Sequence, residues 1–250
     1  MSGHSKWASI KHKKAAVDSK RGAAFTKLAR AIVIAARDGG ADPTANASLA
    51  HAIQKAKDMR MPKNNIERAI AKGAGTDKEA DTLEEIVYEG YGPGGVALLI
   101  HCLTDNRNRT GSDVRHLLDK SGGGLGEPGS VAWNFEKKGT IVIDAAAATE
   151  DDLFVAIDAG AEDIITEDDH FEVITEPSDF HAVRAVLEET GIELQTADVV
   201  QRPKTRTEVD DKEAARLFKL IEALEENDDV NEVAANFDVS DEALTALAAE

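Results

Sequence analysis

Cysteine is nearly absent. Cys102 stands alone in 250 residues, which excludes an intramolecular disulfide and any multi-cysteine metal centre. It lies in the apolar run VALLIHCL (96–103). A buried, inert thiol is expected there, because a reactive thiolate needs an electropositive, accessible setting. Aromatics are also scarce, with two Trp, two Tyr and seven Phe, so the cores must be built mainly from aliphatic side chains. Long apolar runs are missing. AIVIAA (31–36) and VALLI (96–100) are far shorter than the ~20 residues a membrane-spanning helix needs. The N-terminus has no apolar stretch ahead of a small-residue cleavage site, so no secretory signal is expected, although its basic, acid-poor character has something of a transit peptide. A cytoplasmic protein without a membrane partner is expected.

Charge is unevenly placed. The formal net charge is -18. Residues 1–80 hold 16 Lys+Arg against 7 Asp+Glu, a net of +9, and residues 81–250 hold 13 against 40, a net of -27. Within SKWASIKHKKAAVDSKRG (5–22), six residues are Lys or Arg and only Asp18 is acidic. Screening acts over about 8 Å at physiological salt, so an acidic body does not cancel a basic head at the head's own surface.

The head reads as helical. Between Lys20 and Arg37, Phe25, Leu28, Ala29, Ile32 and Ala36 fall on one face at 100° steps, with Lys20, Lys27, Arg30 and Arg37 on the other. That predicts an amphipathic helix with an exposed cationic stripe, ended by Gly39-Gly40. A second helix is expected from Asp42-Pro43, with Asp42 as N-cap. A third follows Met61-Pro62, with Asn64 and Glu67 as a capping box and Gly73 as its stop. GAGTDKEADT (73–82) reads as a linker.

The body changes period. IVYEGY (86–91), PGG (93–95) and VALLIHCL (96–103) predict a strand hairpin. RTGSDVRHLLDKSG (109–122) predicts a helix, GGGLGEPG (122–129) a loop and SVAWNFE (130–136) a strand. The next elements run strand, helix, strand, strand, helix, strand from GTIVID to ELQTADVVQ, the βαββαβ order of a ferredoxin-like unit. A helix over 211–227 and a strand over 230–237 follow. The expected fold is α+β: a three-helix domain over 1–78, a discontinuous α/β domain over 79–136 plus 205–250, and a ferredoxin-like domain over 137–204 inserted into it.

Motifs for catalysis are weak. Two G-x-G-x-x-G matches, Gly90-Gly92-Gly95 and Gly124-Gly126-Gly129, fail the strand–turn–helix context of a dinucleotide site and read as turn glycines. No nucleophile elbow or metal-ligand spacing is present, and Asp168-Asp169-His170 reads as a solvated hairpin tip. No cofactor and no metal are expected. TDNRNRT (104–110) joins a strand to a helix start, where Asn106, Arg107 and Arg109 form a candidate secondary anion site; helix capping is the alternative reading.

The head carries the stronger signal. His4, Lys6, Trp7, Lys11, His12, Lys13, Lys14, Lys20, Arg21, Lys27 and Arg30 form a candidate nucleic-acid contact surface. Cations there displace the counterions condensed on a phosphate backbone, and Trp7 offers either a stacking face or a core contact. Against a merely solubilising face stands the opposite charge of the rest of the chain.

Five stretches, GHSKWASIKHKKAAVDSKRGAAFTKLARAI, MPKNNIERAIAKG, YEGYGPGGVALLIHCLTDNRNRT, GGGLGEPGSV and DAGAEDI, resemble the YebC family in order from residue 2 to about 237. The resemblance implies a cytoplasmic protein with a helical first domain and two α/β domains, one inserted in the other. It implies a non-enzymatic regulator, described in bacterial members as a DNA-binding transcriptional regulator. In mitochondrial relatives and some bacterial ones it implies a translational role at the ribosome, touching rRNA or tRNA. The family pattern has a small residue and Asn before Met-Pro, where this chain has Met59-Arg60.

Three functions are therefore carried forward. The first is a monomeric nucleic-acid-binding regulator acting on DNA or, alternatively, on ribosomal RNA. The second is an enzyme with a site in the cleft between the α/β domains, near Arg107, Arg109 and the glycine loop (122–129). The third is a scaffold whose acidic body grips a basic partner.

Overall fold

The computed structural model describes residues 18–75 and 83–240, with side chains described from residue 22 onward. The fold is mixed: three N-terminal helices precede two antiparallel-sheet α/β units.

Helices α1 (Asp18–Gly39), α2 (Ala47–Asp58) and α3 (Lys63–Ala74) share one core, in which Leu28, Ile32, Ala36, Leu49, Ala56 and Ile66 are buried. The aliphatic spacing of α1 sets this inward face, as its period predicts. Gly73 does not stop α3 but lies inside it, against α1. A Cβ there would stand 2.2 Å from the Val33 carbonyl oxygen, so glycine is what lets the two helices approach. The predicted caps move too. Asp42 does not cap α2; its carboxylate accepts the Thr44 N–H (2.9 Å) and hydroxyl (2.7 Å) in a turn. The cap is Asn46, which accepts the Leu49 N–H at 3.0 Å and donates to the carbonyls of Ala35 and Gly40. At α3 the capping residue is Pro62, with no side-chain cap bond, so the Asn64–Glu67 box is not formed. The linker's residues 76–82 lie outside the described residues.

Strands β1 (Glu84–Tyr91) and β2 (Ala97–Thr104) form the predicted hairpin, with Val87 opposite His101. Helix α4 (Arg107–Lys120) leads to β3 (Gly124–Leu125), a two-residue strand within the glycine loop that pairs with β1. A Cβ on Gly123 would lie 2.1 Å from the Tyr91 carbonyl oxygen; this contact needs a residue without a side chain. Residues 130–134 are not a strand. Ala132–Asn134 form a 3-10 turn, and strand β4 (Phe135–Asp144) starts after it.

A short helix α5 (Phe154–Asp158), β5 (Ala161–Thr166), β6 (His170–Thr175), α6 (Phe180–Glu189) and β7 (Leu194–Pro203) complete the second sheet. Its order is β5-β6-β4-β7, the ferredoxin-like arrangement. Its ends run together, with Phe135 paired to Pro203. The chain thus leaves and re-enters the first unit through one neck. There β8 (Thr207–Glu208) pairs in parallel with β10 (Phe237–Asp238). Helix α7 (Asp211–Glu226) and strand β9 (Val230–Ala235) lie between them, giving the first sheet the order β3-β1-β2-β9. Val114, Leu118, Leu217, Ile221 and Leu224 of α4 and α7 bury the back of that sheet with Leu98, Ile100 and Cys102. Burial pushes the Cys102 thiol up to about 12, the inert state expected of it.

Candidate nucleic-acid interface

Of the head residues singled out from sequence, His4, Lys6, Trp7, Lys11, His12, Lys13 and Lys14 lie outside the described residues. Lys20 and Arg21 sit in the first turn of α1, described in backbone only. Lys27 and Arg30 are described, and they correct the expectation of an exposed stripe along α1. The Lys27 ammonium donates to the Glu225 carbonyl. Arg30 donates to the carbonyl of Asp228 at 2.7 Å and to the Asp229 carboxylate at 3.1 Å. Arg37 donates to the Leu83 carbonyl at 2.6 Å and to Asp38 at 2.8 Å. These cations face the acidic body because carbonyls at the end of α7 and a buried carboxylate outcompete water for them.

The receiving group is Asp229, whose side chain is 5% exposed. Besides Arg30, it accepts Arg109 at 2.7 and 3.2 Å, the Thr110 hydroxyl at 2.8 Å and the Thr104 hydroxyl at 3.2 Å. Burial alone would raise this carboxyl. The bonds from Arg109 and Thr110 and the Arg109 charge instead bring it below its ordinary 3.8. This node also takes in the residues of the candidate secondary anion site. Arg109 is committed to Asp229 and to Asp105, at 2.8 Å. Asn106 caps α4 by accepting the Arg109 N–H at 3.1 Å, the capping alternative. Arg107 is exposed at the start of α4, where its carbonyl accepts the Tyr88 hydroxyl at 3.2 Å. The three residues are neighbours, but a carboxylate already fills the place an anion would take beside Arg109.

A second clasp joins α2 to the ferredoxin-like unit. Asp198 of β7 accepts His51 Nε2 at 3.0 Å and the Lys55 ammonium. Burial works against ionising Asp198, but the Lys55 charge and the His51 bond hold it well below its ordinary value. Beside this clasp, Arg184 of α6 binds Asp58 through both ends of its guanidinium, at 2.8 and 2.9 Å. Between head, sheet and insert lies a cavity of about 350 Å³, lined among others by Lys27, His51, Lys55, His101, Lys137 and Glu232. His51 Nδ1 and His101 Nε2 are buried without hydrogen-bond partners. Arg107, Arg109 and the glycine loop, expected around an inter-domain cleft, do not line it. No described group of three or more His, Cys, Asp or Glu is placed to hold a metal ion. No described helix is long and apolar enough to cross a membrane.

Sequence reasoning passed over Asp198, Asp229 and Glu89. The Glu89 carboxylate accepts three backbone N–H groups of the loop before β4: Gly129 at 2.6 Å, Val131 at 2.7 Å and Ala132 at 2.8 Å. Burial raises this carboxyl, but the three donors win and bring it below its ordinary 4.5. Among so many carboxylates, no local pattern marks these three. Only the placing of Glu89 between tyrosine and glycine in YEGY (88–91), away from the acidic start of its strand, is a signal for it.

Comparison with known proteins covers nearly the whole chain. Residues 5–76 match a family model described as the TACO1/YebC protein N-terminal domain. Residues 83–237 match one described as the TACO1/YebC second and third domain. A protein of Rubrobacter xylanophilus named "Probable transcriptional regulatory protein" is 54% identical over 99% of this chain and 100% of its own length. A protein of Halothermothrix orenii with the same name is 51% identical over 100% of both. Among solved structures, a conserved hypothetical protein from Aquifex aeolicus, Aq1575, matches with a TM-score of 0.78 and 43% identity, covering 90% of this chain and 93% of that one.

Proposed function

This chain belongs to the TACO1/YebC family, and from that premise we propose that it is a non-enzymatic regulator of gene expression whose basic head contacts nucleic acid. The names of its relatives support the regulatory role. The charge division supports the contact and is the observation that carries it: +9 over residues 1–80 against -27 over the rest. Because Lys27, Arg30 and Arg37 bond to the body, the proposed contact surface is the set of cations that precede them, Lys6, Lys11, Lys13, Lys14, Lys20 and Arg21. If about six of these meet phosphates of duplex DNA, affinity falls about 10³-fold between 50 and 200 mM salt.

Duplex DNA is the partner a role in transcription would call for, and the ribosome is the competing one. Filter binding of the full chain to duplex DNA and to ribosomes at matched salt separates the two. In both arms, Lys13→Glu with Lys14→Glu is expected to weaken binding at least tenfold, since two charge reversals remove about two phosphate contacts and add repulsion. Undiminished binding by that variant would remove the head as the contact surface.

A further inference from the structure

In a molecule short of aromatics, Trp133 is 66% exposed and Tyr91 42% exposed. Neither dangles. The Trp133 indole N–H donates to the Ser130 carbonyl at 2.9 Å, and the Tyr91 hydroxyl donates to the same oxygen at 3.3 Å. Two aromatic side chains are thus pinned by their polar tips to one backbone atom, while large parts of both remain open to water. Their support is stiff. Glu89 grips the loop on the N-terminal side of Trp133 through Gly129, Val131 and Ala132. On the other side Asn134, 2% exposed, accepts the Thr205 N–H at 2.9 Å and donates to the Thr205 carbonyl at 3.0 Å. An exposed Trp held this way has little rotamer freedom left to lose on binding.

The same contacts bring charge. The Asn134 carbonyl accepts the Lys204 N–H at 2.7 Å, so the strand leaving the ferredoxin-like unit lies beside the 3-10 turn of Trp133. Residues 199–207 carry Arg202, Lys204 and Arg206 and no acid, on a body whose net charge is -27. Arg202 is paired with Glu172 at 3.0 Å. Lys204 is exposed, and its ammonium has no partner among the described residues. The neck between the two α/β units therefore offers two fixed aromatics beside a cationic segment.

We propose that this neck is a stacking site for unpaired bases of single-stranded nucleic acid, with Trp133 and Tyr91 taking base faces and Lys204 a phosphate. The proposal rests on the nucleic-acid role proposed above but places a second contact on a different unit. Aromatic platforms beside a cation suit unstacked bases of any sequence, whereas bases stacked within a duplex present no free face to them. The local positive charge favours this occupant over an acid-binding basic protein, which the rest of the body would attract instead.

Full-length protein labelled with 5-fluorotryptophan gives one fluorine signal each for Trp7 and Trp133, the two tryptophans of the chain; Trp133→Phe identifies which is which. It is titrated with oligouridylate and oligothymidylate of about ten nucleotides, within the site sizes of such platforms, and with a duplex of equal length. The Trp133 signal is expected to move with the single strands and stay still with the duplex; movement by the ribonucleotide alone would assign the site to RNA. Trp133→Ala is expected to lower single-strand affinity about fivefold to a hundredfold. Lys204→Glu should lower it by a smaller factor that fades at high salt. A stationary Trp133 signal at saturation, with the Trp7 signal shifting, overturns the neck site and leaves the head's role standing. Absence of any complex with the single strands overturns the neck site, and the head's role is then decided by the filter binding to duplex DNA and ribosomes. A Trp133 signal that responds only to a protein partner overturns the proposal as well. Should Trp133→Ala fail to fold, the wild-type titration decides alone.

Discussion

Arg60 turns the chain from α2 to α3 at φ +57°, the only positive φ among the described residues that are not glycine. Its N–H reaches the Lys57 carbonyl at 2.8 Å, and the Met61 N–H reaches that of Ala56 at 2.9 Å, a helix end built on a left-handed residue. Such a backbone costs an L-residue about 1–2 kcal/mol, less for Asn. The YebC pattern with Asn at this place has its physical reason here. Arg60→Asn is therefore expected to raise the melting temperature by about 2–4 °C, for about 1 kcal/mol gained; calorimetry that found no rise would mean the strain is relaxed elsewhere. Asp229 is the opposite case, one residue that many contacts depend on. Asp229→Asn keeps the volume but leaves Arg30 and Arg109 facing a neutral amide. A loss of about 2–3 kcal/mol is expected in denaturant titration, and Ala at Thr110 should cost less, since it removes one hydroxyl donor rather than the charge.

At the scale of elements, the strands and long helices were legible because their burial is periodic; the loop before β4 was not. SVAWNFE alternates apolar residues well enough to predict a strand. It becomes a 3-10 turn because Glu89, 40 positions away from Gly129, draws three N–H groups of that loop onto one carboxylate. Similarly, Asp42-Pro43 has the local chemistry of a helix start, but Asn46 can bond to Ala35 and Gly40 as well as cap α2, and that tertiary gain decides the boundary. Interactions of this kind have no sequence period to reveal them. Glu89→Gln is expected to destabilise the protein by about 1.5–3 kcal/mol, because the amide's own N–H donors turn toward backbone donors. Hydrogen exchange should quicken at Gly129, Val131 and Ala132 before it does in β1. Acid should act in the same direction. The folded Glu89 carboxyl lies below its ordinary 4.5, so its contribution is full above that value and is lost as pH falls through the folded one. Protection of these amides, taken relative to their intrinsic exchange rate, that does not fall as the solution is acidified well below 4.5 would argue against the carboxylate as the anchor.

At the scale of the whole molecule, the division of charge was legible and the use the body makes of it was not. Periodicity can place Lys27, Arg30 and Arg37 opposite the apolar stripe of α1, but it cannot tell solvent from a second domain. The structure turns these cations onto α7, Asp229 and the start of β1. Two kinds of head cation follow, and they should separate in experiment. Arg30→Ala removes bonds to Asp228 and Asp229 and leaves Asp229 one cation short. It is expected to cost about 1–3 kcal/mol and to lower the melting temperature by about 2–10 °C. Lys13→Glu with Lys14→Glu is expected to leave melting nearly unchanged and to weaken binding to nucleic acid or ribosomes. Measured side by side at 50 and 200 mM salt, the first variant should keep the wild-type slope of log affinity against log salt. The second should flatten it by about two phosphate contacts. If Arg30→Ala flattens the slope instead, and does so without loss of stability, Arg30 leaves the body to meet phosphate and the docked stripe is part of the binding surface.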